Sequence, residues 1–430
     1  MNLSDKIKSM ILSKTVSEKE RKIGVEIESF YYNHGSLNRI PVNKKDQYSA
    51  SDLLFDINQA TADHQYTYSL EPGGQLEWAS SPHISLWDIA DEYSNNMLAQ
   101  RQLCKKNHID IGYFSVEPVS DPFEIELIDS KKYHLMDNLF HETGTLGPWM
   151  MRNTTSIQVN IDYTNEGDAN QMAFIADSIQ PLVSILFANA PFIKNKLAKS
   201  DNLRWKIWNN TDSSRCGSLF EHTIDDSNNV INNYVEWLQS RQAIFIENPQ
   251  GTFNEFNNDL AAMISSDNND DLIYSAFRQI FTHVRFKTVL EVRASDRQQK
   301  GKELVPAAFL AGLLTSNIVR DKLLDEINSW TIDDKINLSK QASELSFSNI
   351  GPKQKSIGYW LEFLGQLALE GLDERSKIFD IKNERPLLEF ELNNLIASGP
   401  DTITIQNKYN NSNQTLKSFI IENYLDSFED

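Results

Sequence analysis

The sequence predicts an α+β or mixed α/β fold, and two observations carry this prediction. Segments in which apolar and polar residues alternate, as in half-buried strands, are spread over residues 21–300, with helix-like segments between them. Residues 335–428 contain mostly helical patterns separated by polar loops. The chain has 430 residues, of which 40% are hydrophobic, so it can bury a substantial core.

The strands are predicted from alternation and from one evident turn. They fall in "RKIGVEIESF", on both sides of the turn in "YSLEPGGQLEWASSPH", and in "HIDIGYFSVEP", "MMRNTTSIQVNIDY" and "TVLEVRAS". Pro72, Gly73 and Gly74 form the turn, because proline fixes φ and glycine tolerates positive φ. Helices are predicted over residues 1–20, 49–60, 84–107, 168–189 and 305–325.

We expect a single domain over residues 1–430, because neither an internal repeat nor a long linker interrupts the sequence. Its parts would be an N-terminal helix (1–20), a core that contains the strands (21–320) and a mainly helical C-terminal part (321–430).

Composition excludes several classes of function. The net charge is -19, which argues against nucleic-acid binding and against docking on an anionic membrane. The two cysteines, Cys104 and Cys216, are too few for a disulfide scaffold and favour a reducing compartment. The N-terminus is too charged for a signal peptide, and the apolar stretches are too short to span a membrane. We therefore expect a soluble cytoplasmic protein.

The first predicted strand carries two carboxylates on one face. Successive side chains alternate across a strand, so Glu26 and Glu28 share one face while Ile23, Val25 and Ile27 share the other. The strand is thus apolar on one side and acidic on the other.

Two later strands repeat this arrangement. In "SIQVNI", Gln158 and Asn160 share a face opposite the apolar residues. In "LEVR", Glu291 and Arg293 lie opposite Leu290 and Val292. An antiparallel sheet with one solvated face would give the same alternation.

The acidic residues favour a metal site over a solvated face. Glu26 and Glu28 repel each other unless a cation lies between them, and the turn adds Glu71 and Glu77. Mg²⁺ and Mn²⁺ prefer such oxygen ligands, and the sequence has no Cys/His spacing typical of zinc.

Arginines occur in the same segments and suggest phosphate chemistry. Arg152 begins the second strand, Arg204 and Arg215 follow in "LRWKIWNNTDSSRCG", and Arg293 shares a face with Glu291. Carboxylates for metal ions and arginines for anions are the groups that metal-assisted phosphoryl transfer requires. No Walker motif or GxGxxG motif is present, so a nucleotide would not bind through a glycine-rich loop.

Five motifs resemble, in order, the signatures of glutamate–cysteine ligases of the plant and proteobacterial type. They are "GVEIESF", "LEPGGQLEWASSP", "MMRNTTSIQVNIDY", "WNNTDSSRCG" and "VLEVRASDRQ". These enzymes are carboxylate–amine ligases with the catalytic architecture of glutamine synthetase. The resemblance implies an α+β fold in which a curved, mainly antiparallel sheet forms a funnel with helices packed outside.

The resemblance also implies a reaction and its ligands. Members use ATP and Mg²⁺, for which Mn²⁺ can substitute, to join the γ-carboxylate of L-glutamate to the amino group of L-cysteine through a γ-glutamyl phosphate. The products are γ-glutamylcysteine, ADP and phosphate, the first step of glutathione biosynthesis. No nucleic-acid or membrane partner is implied, and the protein is expected to be a monomer or a homodimer.

Site roles follow from the matching motif positions. The implied metal ligands are Glu26, Glu28, Glu71, Glu77 and Glu291. Gln158, Asn160 and Arg293 are the implied ATP-binding residues, Glu291 and Arg293 the catalytic pair, and Arg152 and Arg215 the residues that hold substrate carboxylate.

Structural alternatives to these roles remain open. Arg152 and Arg215 could instead pair with Asp162 or Asp212, and Arg293 with Glu291. Gln158 and Asn160 could form hydrogen bonds within the sheet.

The sequence departs from the family pattern in three motifs, which leaves the amine substrate open. Trp78 and Ala79 stand where Leu-Ser is more usual after the second hairpin glutamate. The glutamate–arginine pair is followed by Ala294, Ser295 and Asp296 where plant-type enzymes have Gly-Ala-Asp, and Cys216 stands where threonine is common. The alternatives are a γ-glutamyl ligase with another amine acceptor and a non-catalytic binding relative.

Overall fold

Strands and helices alternate along most of the chain in the computed structural model, which describes residues 2–248, 250–267, 269–426 and 428. The strands are β1 (Ile23–Asn33), β2 (Thr67–Leu70), β3 (Leu76–Ala79), β4 (Ile109–Gly112), β5 (Ser156–Ile161), β6 (Phe192–Ile193), β7 (Lys196–Leu197), β8 (Cys216–Gly217), β9 (Phe245–Glu247), β10 (Phe253–Glu255), β11 (Phe281–Thr282), β12 (Val284–Phe286), β13 (Leu290–Asp296) and β14 (Leu425–Asp426).

The α-helices occur along the whole chain and dominate its C-terminal part. They are α1 (Leu3–Ile11), α2 (Ala50–Ala60), α3 (Leu86–Asn107), α4 (Lys131–Thr143), α5 (Gly147–Asn153), α6 (Glu166–Leu186), α7 (Leu203–Asn209), α8 (Val230–Gln239), α9 (Leu260–Ser265), α10 (Asp271–Phe277), α11 (Val305–Thr315), α12 (Asn317–Ile327), α13 (Ile332–Gln341), α14 (Ile357–Ile378), α15 (Glu389–Ser398), α16 (Asp401–Asn410) and α17 (Leu416–Tyr424).

One large antiparallel sheet organises the fold. Its main path is β12-β13-β5-β1-β3-β2, and β4 pairs with the second half of β1 and with β14. The long strand β1 therefore lies at the centre, where Glu26 opposes Gln158 of β5 and Glu28 opposes Glu77 of β3. This pairing brings three of the predicted polar segments side by side.

The apolar face of the sheet is buried against helices. Ile23, Val25 and Ile27 of β1 are at most 2% exposed. Helix α6, which packs against β13, is buried along most of its length, and α11 packs against β5 and α14. Burial of the apolar side is the main driving force for this arrangement, and it directs the polar side of each strand away from the helices.

The predicted turn between β2 and β3 is present. Glu71 is the first residue after β2, and the amide of Gly74 donates to its carbonyl oxygen at 2.8 Å. Gly74 has a φ of 77°, which an L-residue with a Cβ would adopt only under strain. The turn thus holds Glu71 and Glu77 near one end of the hairpin.

Three predicted boundaries are wrong. Residues 150–153, the start of the predicted second strand, belong to α5, which begins at Gly147 because Pro148 stands in its first turn and is pre-organised for a helix. The helix predicted over 305–325 is two helices, since Ser316 is extended and caps α12. Helix α1 ends at Ile11, well before residue 20.

Within the described ranges, no helix is long and apolar enough to cross a membrane.

Candidate active site

A cavity of about 230 Å³ opens on the polar face of the sheet. Strands β1, β3, β5 and β13, the β2–β3 turn, α4, α5 and α7 contribute to its wall. Its acidic lining residues are Glu26, Glu28, Glu71 and Glu77, and its basic ones are Lys132, Arg204, Arg278, Arg285, Lys287 and Arg293. The cavity is therefore a charged cleft with both signs present.

Three of the predicted metal-binding glutamates converge at one end. Glu28, Glu71 and Glu77 each place a carboxylate oxygen within 4.8 Å of the others. Oxygen ligands bind divalent cations at about 2.0–2.6 Å, so ligands on opposite sides of an ion are roughly 4–5 Å apart. Among the described residues, this trio is the group with the spacing for a metal ion.

Burial is the main cause that raises the pKa of each carboxyl in the trio, and neighbouring glutamates add to it. For Glu28 the main cause is burial, followed by the charge of Glu71, and the pKa rises to about 7. Burial, followed by three neighbouring glutamates, raises the pKa of Glu77 well above its usual range. Burial also raises the pKa of Glu71. Without a bound cation these carboxyl groups tend to hold their protons. A divalent cation between them would stabilise the ionised form instead.

The amides of β5 support the acidic end. Gln158 donates through Nε2 to Glu28 at 3.0 Å, and Ser156 donates to the same oxygen at 2.9 Å. Asn160 donates to Glu26 at 2.9 Å. Glu26 lines the cavity but lies outside the trio. Both amides thus make the hydrogen bonds within the sheet that were an alternative to direct ATP binding.

Glu291 lies apart from the trio, in a group of cations. Its fully buried carboxylate contacts Arg285 at 2.5 Å, Lys287 at 2.5 Å and Arg293 at 2.9 Å. Burial alone would raise the pKa of Glu291, but these three cations lower it well below its usual range. The structure therefore does not bring Glu291 together with the other predicted metal ligands, and its coordination of a metal stays a prediction.

Arg293 connects the two ends of the cavity. Its Nη1 donates to Glu291 and, at 2.6 Å, to Oε1 of Gln158. The guanidinium carbon also lies 5.8 Å from the centre of the Trp208 ring. Burial lowers the pKa of Arg293, but Glu291, Glu26 and Glu28 together raise it by more, so the pKa lies above its usual value. Arg293 is therefore a permanent cation in the cleft. The predicted pairing with Glu291 is present.

Three residues at or beside the cavity, near Arg293, contain buried polar atoms without hydrogen-bond partners in the described chain. They are Nε of Arg204, Nε1 of Trp208 and Nε2 of His283. Arg204 and Trp208 line the cavity, and His283 lines a small recess beside it. Burial followed by Arg204 and Arg293 lowers the pKa of His283 to about 3, so its ring is neutral. Buried polar atoms without partners commonly mark where a ligand or water binds.

The two arginines predicted to hold substrate do not line the cavity. Arg152 is 7% exposed and forms a two-pronged ion pair with Asp137, at 2.5 and 2.7 Å. Arg215 is 1% exposed and donates to Asp212 at 2.8 Å and to the carbonyl oxygens of Gln242 and Gln279. The terminal nitrogens of Arg152 and all three nitrogens of Arg215 donate to protein acceptors, although Nε of Arg152 has no hydrogen-bond partner within the described residues. Neither arginine lines the cavity, so contact with substrate stays a prediction for both. The alternative pairing of Arg215 with Asp212 is the one observed.

The sequence interpretation missed other cations of the cleft. Arg285 and Lys287 alternate in "VRFK", directly before the predicted strand, and Arg285 opposes Glu291 across the β12–β13 pair. This spacing was a readable signal for a second polar strand beside the third one. Lys132 and Arg278 gave no comparable signal, because α4 and the end of α10 reach the cavity only through tertiary packing.

A match to a protein-family model shows which family this chain belongs to. The model for glutamate–cysteine ligase family 2 (GCS2) matches residues 22–351, which include every strand that lines the cavity. The chain belongs to this family. The predicted resemblance is therefore confirmed.

Curated relatives agree with the family assignment. The chain is 25% identical over 344 residues to the chloroplastic glutamate–cysteine ligase of Nicotiana tabacum, covering 74% of the chain and 64% of that protein. It is 24% identical over 380 residues to the Medicago truncatula enzyme, covering 82% and 72%. The chain thus spans less than two thirds of the tobacco relative. These relatives are named chloroplastic, so the prediction of a cytoplasmic protein is contradicted by the comparison.

A solved structure shares the fold. The glutamate–cysteine ligase of Francisella tularensis, solved in complex with AMP, matches 94% of this chain and 87% of its own with a TM-score of 0.55 and 13% identity. The predicted α+β, glutamine-synthetase-like architecture with a large antiparallel sheet is confirmed.

Proposed function

We propose that this member of GCS2 is an ATP-dependent glutamate–cysteine ligase. The observation that carries the proposal is the cleft itself, in which a carboxylate trio lies beside a group of fixed cations on one sheet. The family match and the names of the curated relatives support the same activity.

The carboxylate trio fits a hard divalent cation. Its oxygen atoms have a suitable spread, and its raised pKa values reflect charge that a cation would compensate. We propose that Glu28, Glu71 and Glu77 hold Mg²⁺ or Mn²⁺, with Glu26 nearby. The bound cation would neutralise phosphate oxygens of ATP.

In the first step, an oxygen of the glutamate γ-carboxylate attacks the γ-phosphorus of ATP. The bond from phosphorus to the β,γ-bridging oxygen breaks, and ADP leaves with that electron pair. Arg293 is held rigidly by Glu291 and Gln158, so it can meet the transferring phosphoryl group without reorganising. Arg285 and Lys287 extend the positive wall.

In the second step, the amino group of cysteine attacks the acyl carbon of γ-glutamyl phosphate. The carbon–oxygen bond breaks, phosphate leaves with the former carboxylate oxygen, and the amine loses a proton to solvent. We propose that Arg204 and Trp208, which have buried unpartnered N–H groups at the cavity, bind polar groups of the amino-acid substrates. This replaces the earlier assignment of Arg152 and Arg215.

Formation of ADP tests the proposal most directly. We expect glutamate and cysteine together, with ATP and Mg²⁺, to yield ADP and γ-glutamylcysteine in equal amounts. Glu71→Gln should abolish turnover, whereas Glu374→Gln, which alters a surface pair with Lys377, should not. Failure of the wild-type protein to form a γ-glutamyl product with any amine would support the non-catalytic alternative.

A second candidate keeps the chemistry and changes the amine. The departures at Ala294 and Cys216 favour testing it, since β13 is irregular between Val292 and Ser295 and Cys216 is buried beside it in the fold. We would measure ADP release with a panel of amino acids at equal concentration. A higher kcat/KM for another amine than for cysteine would establish this alternative.

Isotope transfer tests the order of steps. Glutamate labelled with ¹⁸O in its γ-carboxylate should give one labelled oxygen in the released phosphate. Unlabelled phosphate, with product formed, would exclude an acyl phosphate.

A further inference from the structure

The turn that carries Glu71 is held by an arginine that does not line the cavity. Arg39 follows β1 and forms an isolated antiparallel bridge with Tyr32 of that strand. Its side chain is 4% exposed, and its Nη2 donates to the carbonyl oxygen of Gly73 at 2.8 Å. Gly73 is two residues beyond Glu71, so this hydrogen bond fixes the tip of the turn.

Arg39 is itself held from two sides. Its guanidinium carbon lies 4.5 Å from the centre of the Phe30 ring, and its Nη1 lies 3.9 Å from Oε2 of Glu117. Glu117 is fully buried and accepts a hydrogen bond from the hydroxyl of Tyr32 at 2.6 Å. Phe30 lies two residues after Glu28 on β1, so the two side chains share a face of the strand. Arg39 thus links the strand that carries Glu28 to the turn.

The same turn is supported on its other sides by backbone. A Cβ at Gly73 would lie 2.6 Å from the Cα of Arg152, so α5 presses directly against the turn. The amide of Ile128 donates to the carbonyl oxygen of Pro72 at 2.8 Å. Arg39 adds a charged donor to this frame, and charge-assisted hydrogen bonds are about twice as strong as neutral ones.

A buried guanidinium is a costly way to fill this space. Burial lowers the pKa of Arg39, while Glu117 and Tyr32 oppose that shift. Its Nε has no hydrogen-bond partner within the described part of the chain. An apolar side chain would cover Phe30 without this desolvation cost, but it could not hold a carbonyl oxygen. The placement is therefore explained by the clamp on Gly73.

We propose that Arg39 is a positioning residue, which sets the separation of Glu71 from Glu28 by clamping Gly73 against β1. It contacts none of the three carboxylates and acts through the backbone of the turn. The inference rests on the metal site in the proposed function, and it assigns that site a support outside the cavity.

Mn²⁺ binding without nucleotide, followed by electron paramagnetic resonance, tests this role. The variant is Arg39→Met combined with Glu117→Gln, which removes both charges and leaves no buried ion unpaired. We expect its Mn²⁺ affinity to fall by about 10-fold or more, as for other residues that orient metal ligands. The control is Arg375→Met with Glu384→Gln, an equally buried pair at 2.8 Å on and beyond α14, which should leave the affinity within about twofold.

The outcomes separate the clamp from the metal site. No Mn²⁺ binding by the wild-type protein would contradict the proposed metal site itself. Wild-type affinity in a folded double variant would overturn the role of Arg39 alone. If the double variant does not fold, Gly73→Ala decides, because its Cβ would lie 2.6 Å from the Cα of Arg152 and so displace the carbonyl oxygen that accepts from Arg39. Weaker Mn²⁺ binding by that variant supports the clamp, and unchanged binding overturns it.

Discussion

Two sets of glutamates, the trio and Glu291, lie at one face of the same sheet and have opposite electrostatics; Glu28 and Glu291 are buried, and Glu71 and Glu77 are partly buried. Glu28, Glu71 and Glu77 face one another, and their pKa values are raised. Glu291, on β13, contacts three cationic side chains, and its pKa is lowered. The residue type is identical, so the surroundings alone set the difference.

The comparison separates two uses of a carboxylate. Cations of the chain compensate the trio only in part, because its pKa values stay raised although Lys132 and Arg293 act on Glu71 and Arg204 acts on Glu28. A cation from solution could supply the remaining compensation. The charge of Glu291 is already compensated, and it orients Arg285 and Arg293 toward the cleft. The trio is thus suited to bind a cation, whereas Glu291 positions two arginines that line the cleft.

The largest expected effect is the loss of stability in Glu291→Gln. This change leaves three cations close together without their shared counter-charge, and breaking a buried ion pair on one side costs about 3–5 kcal/mol. Urea denaturation at neutral pH would measure the free energy of unfolding. The same substitution at Glu77 serves as the matched control. Equal stability losses for both variants would show that the two sets do not differ as described.

Only part of this contrast between the trio and Glu291 could be predicted from the sequence. Alternation placed Glu26, Glu28 and Glu291 on polar strand faces, and the structure agrees, because the apolar side of each strand is buried against helices. The turn at Gly73 and Gly74 followed from local backbone preferences. Partners across the cleft depend on how β12 pairs with β13, which no local pattern specifies.

The substrate arginines show why motif position alone was insufficient. Arg215 lies in a recognisable motif, but its direction depends on Asp212 and on two carbonyl oxygens from distant segments. Arg204, the second residue of α7, reaches the cavity instead. Side-chain direction at a loop or helix end is set by tertiary contacts, which a sequence pattern does not contain.

A second test concerns Arg293, the cationic side chain that lies between Glu291 and the trio. Arg293→Lys keeps the charge but loses the planar guanidinium, whose Nη1 contacts both Glu291 and Gln158 and whose other nitrogens make no hydrogen bond within the described residues. We expect kcat to fall by about 10²–10³, or roughly 3–4 kcal/mol, with a smaller change in the KM for ATP. Steady-state kinetics at saturating and limiting ATP would measure both. A wild-type kcat would mean that Arg293 is not near the reacting phosphate.

The matched control for that test is Arg215→Lys. Arg215 is equally conspicuous in the sequence but bonds only to protein acceptors in the structure. We expect lower thermal stability with little change in the KM for glutamate once the variant is folded. A large, selective rise in that KM would restore the sequence-based assignment to substrate.

Acidity should affect the two sets in opposite directions. The pKa of Glu28 is about 7 in the fold against an ordinary 4.5, so the folded protein holds a proton that the unfolded chain has lost between these values. Unfolding then releases a proton, and stability falls as pH rises through this window, by roughly 2 kcal/mol. The groups that face this carboxyl are Glu71, Glu77, Arg204, Arg293, Ser156 and Gln158.

Glu291 contributes no slope in the same window. Its pKa is lowered, so its stabilisation is complete above 4.5 and is lost only in stronger acid. Melting temperatures in EDTA at pH 5.5 and 7.5 would show the decrease that we expect for the wild-type protein, and Glu28→Gln should reduce it. An increase in wild-type melting temperature over this range would contradict the raised pKa values of the trio.

The smallest expected effect is that of Glu77→Gln, and its direction is opposite to that expected for Glu291→Gln. Glu77→Gln replaces a carboxyl that repels its neighbours by a neutral group of the same shape, whose oxygen can still accept the hydrogen bond from Ser69. Without metal we expect a small gain in stability, since the raised pKa of Glu77 means that its ionised form is disfavoured in the fold. Added Mn²⁺ should raise the melting temperature of the wild-type protein clearly and that of the variant little, because stabilisation by a ligand follows its affinity for the folded state. Calorimetry with and without Mn²⁺ measures both effects on the same samples. A loss of stability in the metal-free variant, with Mn²⁺ still stabilising it as in the wild type, would mean that Glu77 belongs with Glu291 as a structural carboxylate.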